Sequence, residues 1–224
     1  MALTIRKGKV SRAARREEIA QRVFAAAERL LAEGASFAEI SVEQLITGAA
    51  IARSTFYVYF EDKGALLGEL TERVTQELGE AASAWFTLPS GSTRDDLKAA
   101  LGTLVGAYRQ HRHMLAAVAE TAAYDPRVRA QYDRVMERRF EDMNVSFREQ
   151  QAAGLIRADL DVTIISPWLA WMLDRGLYQL TGDSHDQSDK RLDGMTTVIW
   201  QTLYEPSGGG QPRRRNGRRS ADSR

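Results

Sequence analysis

No cysteine occurs among the 224 residues, so disulfides, thiolate metal sites and cysteine nucleophiles are excluded. That absence fits a reducing compartment, and a cytoplasmic protein is expected. Histidine is nearly as scarce, with only His111, His113 and His185. His111 and His113 are two apart and diverge on a helix, and no third ligand stands at metal spacing, so no metal site is expected. No G-x-S-x-G, glycine-rich phosphate loop or H-E-x-x-H is present, so neither an enzyme nor a cofactor is expected. Long apolar runs are missing too. The longest, Thr163 to Leu173, is too short for a bilayer, which excludes a membrane partner. The start, MALTIRKGKVSRAARREE, lacks an apolar h-region, so no secretory leader is expected. Strand-like alternation is absent throughout.

What is present is an apolar fraction of 43%, enough for a folded core, and an uneven charge. The net value is only +1, yet residues 1–60 carry nine Lys/Arg against six Glu. The segment 205–224 carries six Arg against Glu205 and Asp222, which leaves the body between them acidic. Residues 1–16 hold Arg6, Lys7, Lys9, Arg12, Arg15 and Arg16 and no acid. A basic end on an acidic body suits contact with nucleic acid at one end only.

Helical periodicity runs along nearly the whole chain, and the expected class is all-α with about nine helices. Ile19, Val23, Ala27, Leu30 and Leu31 share one face of 12–33, and Gly34 is a stop. Ser41 with Gln44 forms a capping-box pattern, so a helix should start at 42. A short helix over about 52–58 and a long one over about 63–87 follow. Ser92 or Thr93 can cap a helix to about 110, with others near 112–123, 126–152, 162–181 and 188–204. Asp125-Pro126 is a start signal, and Pro167 predicts a later start or a bend. The expected domains are a basic arm with a three-helix head (1–62), a helical body (63–205) and an Arg-rich disordered tail (206–224).

The most informative stretch is 41–63, SVEQLITGAAIARSTFYVYFEDK. Two short helices about the turn Gly48-Ala49-Ala50 make a helix-turn-helix, whose second helix enters a DNA major groove. Phe56 and Phe60, four apart, should face inward, leaving Arg53, Ser54 and Tyr57 outward. Arg53 can pair bidentately with guanine. Tyr57, Tyr59 and Thr55 can reach phosphates, and Lys63 suits a phosphate at a helix start. Ser41 and Gln44, at the start of the preceding helix, join the DNA-facing set.

The T-F-Y-x-Y-F run with x-x-K-x-x-L-L after it resembles the TetR family of transcriptional regulators. The resemblance implies that Arg53, Ser54, Tyr57 and Val58 face bases, while Thr55, Tyr59 and Lys63 touch the backbone. Three positions depart from the usual pattern: Ala50 in place of a turn Gly, Ala52 in place of a capping Ser/Thr, and Gly64 in place of a helix former. The segments WMLDRGLY at 171–178 and IWQTLYE at 199–205 are similar to the C-terminal domain of ethionamide-resistance-type repressors.

The resemblance implies a homodimer through 162–181 and 188–204, a double-stranded operator as partner, and a small, mostly apolar effector in a tunnel. Candidate lining residues are Trp85, Phe86, Tyr108, Met114, Met136, Phe140, Met143, Phe147, Trp168, Trp171, Met172 and Tyr178. Large aromatics and adaptable Met suit such sites. Asp161, Asp174 and Asp183 read as caps and ion pairs. The alternatives are a helical enzyme or small-molecule binder, and an adaptor that keeps the fold without operator binding. The basic start with Arg53, Tyr57 and Lys63 favours DNA.

Overall fold

The computed structural model describes residues 11–182 and 185–205, and among these it contains nine α-helices and no strand. The 1–10 part of the basic arm, Asp183 and the Arg-rich segment 206–224 lie outside the described residues. Helices α1 (Arg12–Ala32), α2 (Val42–Ala49) and α3 (Arg53–Tyr59) form the head. The body comprises α4 (Lys63–Phe86), α5 (Arg94–Gln110), α6 (Arg112–Ala122), α7 (Pro126–Ala152), α8 (Val162–Gly182) and α9 (His185–Leu203). No described helix is long and apolar enough to cross a membrane.

Local chemistry sets the helix ends. Ser41 and Gln44 close a reciprocal capping box on α2, and Thr93 with Asp96 does the same on α5. Asp62 and Asp125 cap α4 and α7 by accepting from the Ala65 and Arg127 N–H groups. Gly34 (φ 97°) and Gly154 (φ 74°) supply the left-handed turns after α1 and α7. The helix α8 starts at Val162 and continues through Pro167. A proline costs one backbone bond there, and five residues precede it, enough to carry the helix across that gap.

The head closes around Val23, Ala26, Ala27, Leu45, Phe56 and Phe60, all buried. Phe60 packs on Phe24 and Phe56 with ring centroids 6.3 and 5.3 Å apart. The α2–α3 turn rests on α1. Arg22 donates to the carbonyls of Ala49 (2.9 Å) and Ala50 (2.5 Å), and Arg29 to that of Gly48 (3.0 Å). These three carbonyls at the end of α2 would otherwise lack partners. Ala50 sits in the left-handed region at φ 51°, ψ 52°.

The helix α4 leaves the head and runs into the body between α5, α6 and α7. Its last turn is tied to α7 and α9. Trp85 Nε1 donates to Tyr204 Oη (2.9 Å), Tyr204 Oη donates to Gln150 Oε1 (3.0 Å), and Gln150 Nε2 donates to the Phe86 carbonyl (3.3 Å). Burial pushes the Tyr204 phenol up to about 12, so it keeps its proton and bridges the network as a donor. At the other end of the body, the buried His111 ring lies between Glu28 of α1 (3.0 Å) and Glu77 of α4 (2.8 Å). That junction fixes the head's first helix to the body.

Candidate nucleic-acid interface and ligand cavity

On α3, burial of Phe56 and Phe60 turns Arg53, Ser54, Tyr57 and Val58 to solvent. Their one-and-four spacing places them on one face. Val58 is 69% exposed and Tyr57 48%, although both stand beside a closed core. Arg53 is ion-paired with Glu43 of α2, and its guanidinium lies 5.6 Å from the centre of the Tyr57 ring. The paired side chain lies at the start of α3 and stays 59% exposed. Thr55 and Tyr59 are half-buried at the flanks. Ala52 precedes the helix without a side-chain cap, so the first N–H groups of α3 keep no protein partner from that position.

Three of the side chains expected to contact DNA are engaged within the protein. Ser41 and Gln44 bond each other, the Gln44 Oε1 accepting from Ser41 N at 2.7 Å and the Ser41 Oγ accepting from Gln44 N, while the Gln44 side chain stays exposed. Lys63 directs its ammonium away from solvent. Nζ donates to the carbonyls of Phe37 (2.9 Å), Ala38 (2.9 Å) and Ile40 (2.6 Å). An ammonium has three donors, and all three are taken. Its partial burial lowers its pKa from the usual lysine value. These three bonds staple the α1–α2 connection to the start of α4.

In the body, a cavity of about 410 Å³ opens between α4, α5, α7 and α8. Of the aromatic and Met candidates, Trp85, Phe86, Tyr108 and Met143 line it. Tyr108 also lines a second cavity of about 380 Å³ between α4, α6, α7 and α8, joined there by Tyr178. The remaining candidates do not line either space. Met114, Met136 and Phe147 are buried in the core, because their helix faces point at neighbouring helices. Phe140 and Met172 pack against that core. Trp168 (66% exposed) and Trp171 (49%) lie on the outer face of α8, Trp171 edge-on to Phe140.

Choosing by size missed the polar lining: Glu72, Thr75, Gln76, Arg138, Arg139, Asp142 and Asp174. Asp174 stood in the sequence only as a cap or ion-pair candidate, with no sign that it faces a cavity. It accepts from Tyr132 Oη (3.0 Å) and is ion-paired with Arg139 at 3.6 Å. Burial first, then the Asp174 charge, push the Tyr132 phenol up to about 12 and raise Tyr108 further. Both therefore stay protonated and able to donate at neutral pH. Asp161 caps the start of α8 through Thr163.

Ile164, Trp168, Trp171 and Tyr178 form an exposed stripe along α8, with exposed Val198 on the adjacent α9. Their spacing of four, three and seven follows one helix face. An apolar face of this size on the last two helices is available for a partner.

Comparison with known proteins agrees with the geometry. Residues 88–177 match the family described as the tetracyclin repressor-like C-terminal domain. The HTH-type transcriptional regulator EthR of Mycobacterium tuberculosis is 39% identical over 75 residues, 34% of each chain. EthR of Mycolicibacterium smegmatis is 52% identical over 50 residues, 22% of this chain and 23% of that protein. The chain thus spans about a third or less of the length of the curated relatives it matches. A TetR-family protein from Mesorhizobium loti superposes with a TM-score of 0.67 at 18% identity, covering 87% of this chain and all of that one. A regulator from Saccharomonospora viridis in complex with choline gives 0.64 at 17% identity, covering 85% and 100%. The helix-turn-helix head, the helical body and these likenesses converge: the chain has the fold of TetR-family transcriptional regulators, and residues 88–177 match the family's C-terminal domain.

Proposed function

We propose that the protein is a repressor that binds a palindromic operator as a homodimer and is released by a small molecule. The observation that carries this reading is the outward face of α3, where Arg53, Ser54, Tyr57 and Val58 project beside a closed core. Exposure of Val58 adds little to packing, whereas Arg53 can read guanine and Val58 can meet a thymine methyl. Thr55 and Tyr59 flank the face where phosphates pass, and the uncapped N-terminus of α3 favours a phosphate as well. A single seven-residue helix reads few base pairs, so a two-fold dimer is needed. The exposed α8–α9 stripe is its proposed interface.

Release is proposed to run through α4 and α7. Asp62, which caps α4, is ion-paired with Arg127 at the start of α7 (3.2 Å), and Gln131 donates to the Gly68 carbonyl (2.9 Å). Farther along α7, Val135, Arg139 and Met143 line the cavity. A ligand that displaces α7 there pulls on the first turns of α4, next to the head. DNA and ligand then oppose each other with equal coupling in both directions, and about 1–3 kcal/mol corresponds to a roughly 5–150-fold loss of operator affinity.

The test is fluorescence anisotropy of duplex DNA from upstream of the protein's own reading frame, titrated at several salt concentrations. Saturable binding that weakens steeply with salt is expected. Absence of binding at low salt sinks the repressor reading and leaves the adaptor.

A further inference from the structure

The stretch from Ser41 to Phe60 contains a single acid, Glu43, and a single base, Arg53. They stand on different helices, Glu43 in the first turn of α2 and Arg53 at the first position of α3. Yet they meet, Arg53 Nη1 pairing with Glu43 Oε1, and both side chains remain more than half exposed. An ion pair so open to water adds little to stability. The dipole of α2 welcomes an acid in its first turn, but it asks for no arginine partner. A carboxylate on a face that meets DNA is also repelled by phosphates, unless a group on the DNA receives it.

The bases offer such a group. Across the major groove a G·C pair presents guanine N7 and O6, both acceptors, and then the cytosine N4 amino group, a donor. A guanidinium carries five N–H donors in a rigid fork. With Nη1 on Glu43, the edge formed by Nη2 and Nε is left as a two-donor fork for N7 and O6. The ion pair engages only one oxygen of Glu43, so the carboxylate keeps acceptor capacity beside that fork. The Tyr57 ring, its centre 5.6 Å from the guanidinium carbon, backs the arginine. Two donors followed by an acceptor complement a G·C pair in one orientation. The reversed pair sets its amino group against the guanidinium and N7 against the carboxylate. An A·T pair sets the adenine amino group against Arg53 and thymine O4 against Glu43.

We propose that Glu43 is a specificity-determining residue: with Arg53 it reads one whole G·C pair of the operator, Arg53 on guanine N7 and O6 and the Glu43 carboxylate on the cytosine amino group. This rests on the reading of α3 as the helix that enters the major groove.

The test is anisotropy on duplexes of the protected upstream site, with wild type, Arg53→Ala and Glu43→Ala. The Arg53 guanine is the position at which Arg53→Ala loses its base preference. The cytosine opposite is then replaced by 2-pyrimidinone, which lacks only the N4 amino group. Any cost of the weaker base pair falls on both remaining proteins alike, so the difference between them isolates the Glu43 contact. Wild type should bind the replaced duplex about tenfold more weakly, and Glu43→Ala should bind the two duplexes nearly equally. Helical circular dichroism should be unchanged in Glu43→Ala, since the side chain is exposed. Equal losses in wild type and Glu43→Ala overturn the cytosine contact and leave the Arg53 contact standing. A Glu43→Ala protein that binds every duplex more tightly, with its base preference intact, reduces Glu43 to an acid that repels phosphates and overturns the proposal too. No binding of upstream DNA by wild type, or no position sensitive to Arg53→Ala, overturns it together with the reading of α3.

Discussion

Lys63 and Ala50 carry the sharpest expectations at the scale of the residue. Because the Lys63 ammonium is saturated by three carbonyls, its loss should loosen the head rather than strip a phosphate contact. Lys63→Ala is expected to destabilise the protein by about 2 kcal/mol in urea unfolding. Operator affinity should fall for all sequences alike, with the salt slope unchanged. A flatter slope means that the lysine does reach DNA. Ala50 pays a left-handed backbone at φ 51° that glycine adopts freely. Ala50→Gly should therefore stabilise the head by about 1 kcal/mol, measured in the same way. No gain, or a loss, means that the Arg22 contacts already offset the strain. Both residues stood out in the sequence, Lys63 by its motif and Ala50 by departing from it. The direction of the lysine was not legible, because it depends on where the 36–40 turn folds back.

Among the elements, the helix starts share one device. Asp62, Asp96 and Asp125 are held below the usual carboxylate value, first of all by backbone N–H groups at a helix start, and Asp161 chiefly by the Thr163 hydroxyl. A depressed folded-state value means that the unfolded chain takes up protons first. The stability these groups contribute is therefore complete above their unfolded values, near pH 4, and is lost as the pH falls through the lower folded values. Urea midpoints should hold from neutral pH to about 5 and drop below about 4, and Asp125→Asn should make that drop shallower. An unchanged acid profile in the variant removes Asp125 from this set. These starts were readable because a cap is local chemistry: Ser41 with Gln44, and Asp125 before Pro126. The cavity lining was not. Phe147 and Met143 lie four apart on α7 and both are buried, yet only Met143 lines the cavity, since the packing of α4 and α8 decides between them.

For the whole molecule, the α8 stripe is the feature a monomer cannot use. Trp168→Glu is expected to shift the protein from dimer to monomer at micromolar concentration in sedimentation, while its helical content stays. A monomeric wild type contradicts the interface. The head, its turn and the order of helices were visible in the sequence as periodicity and punctuation. The Asp174–Arg139 pair in the cavity wall was not, because it joins α7 to α8 through side chains 35 residues apart. A dimeric repressor must present Arg53, Ser54, Tyr57 and Val58, all exposed on α3, to a major groove twice, once from each subunit. The most direct measurement is a protection map of the DNA upstream of its own reading frame, with wild type and Arg53→Ala. Wild type should protect two inverted half-sites about one helical turn, roughly 34–36 Å, apart. Arg53→Ala should bind about 1–3 kcal/mol more weakly and tolerate a changed base at one position per half-site. Protection without two-fold symmetry, or an Arg53→Ala map and affinity identical to wild type, contradicts it.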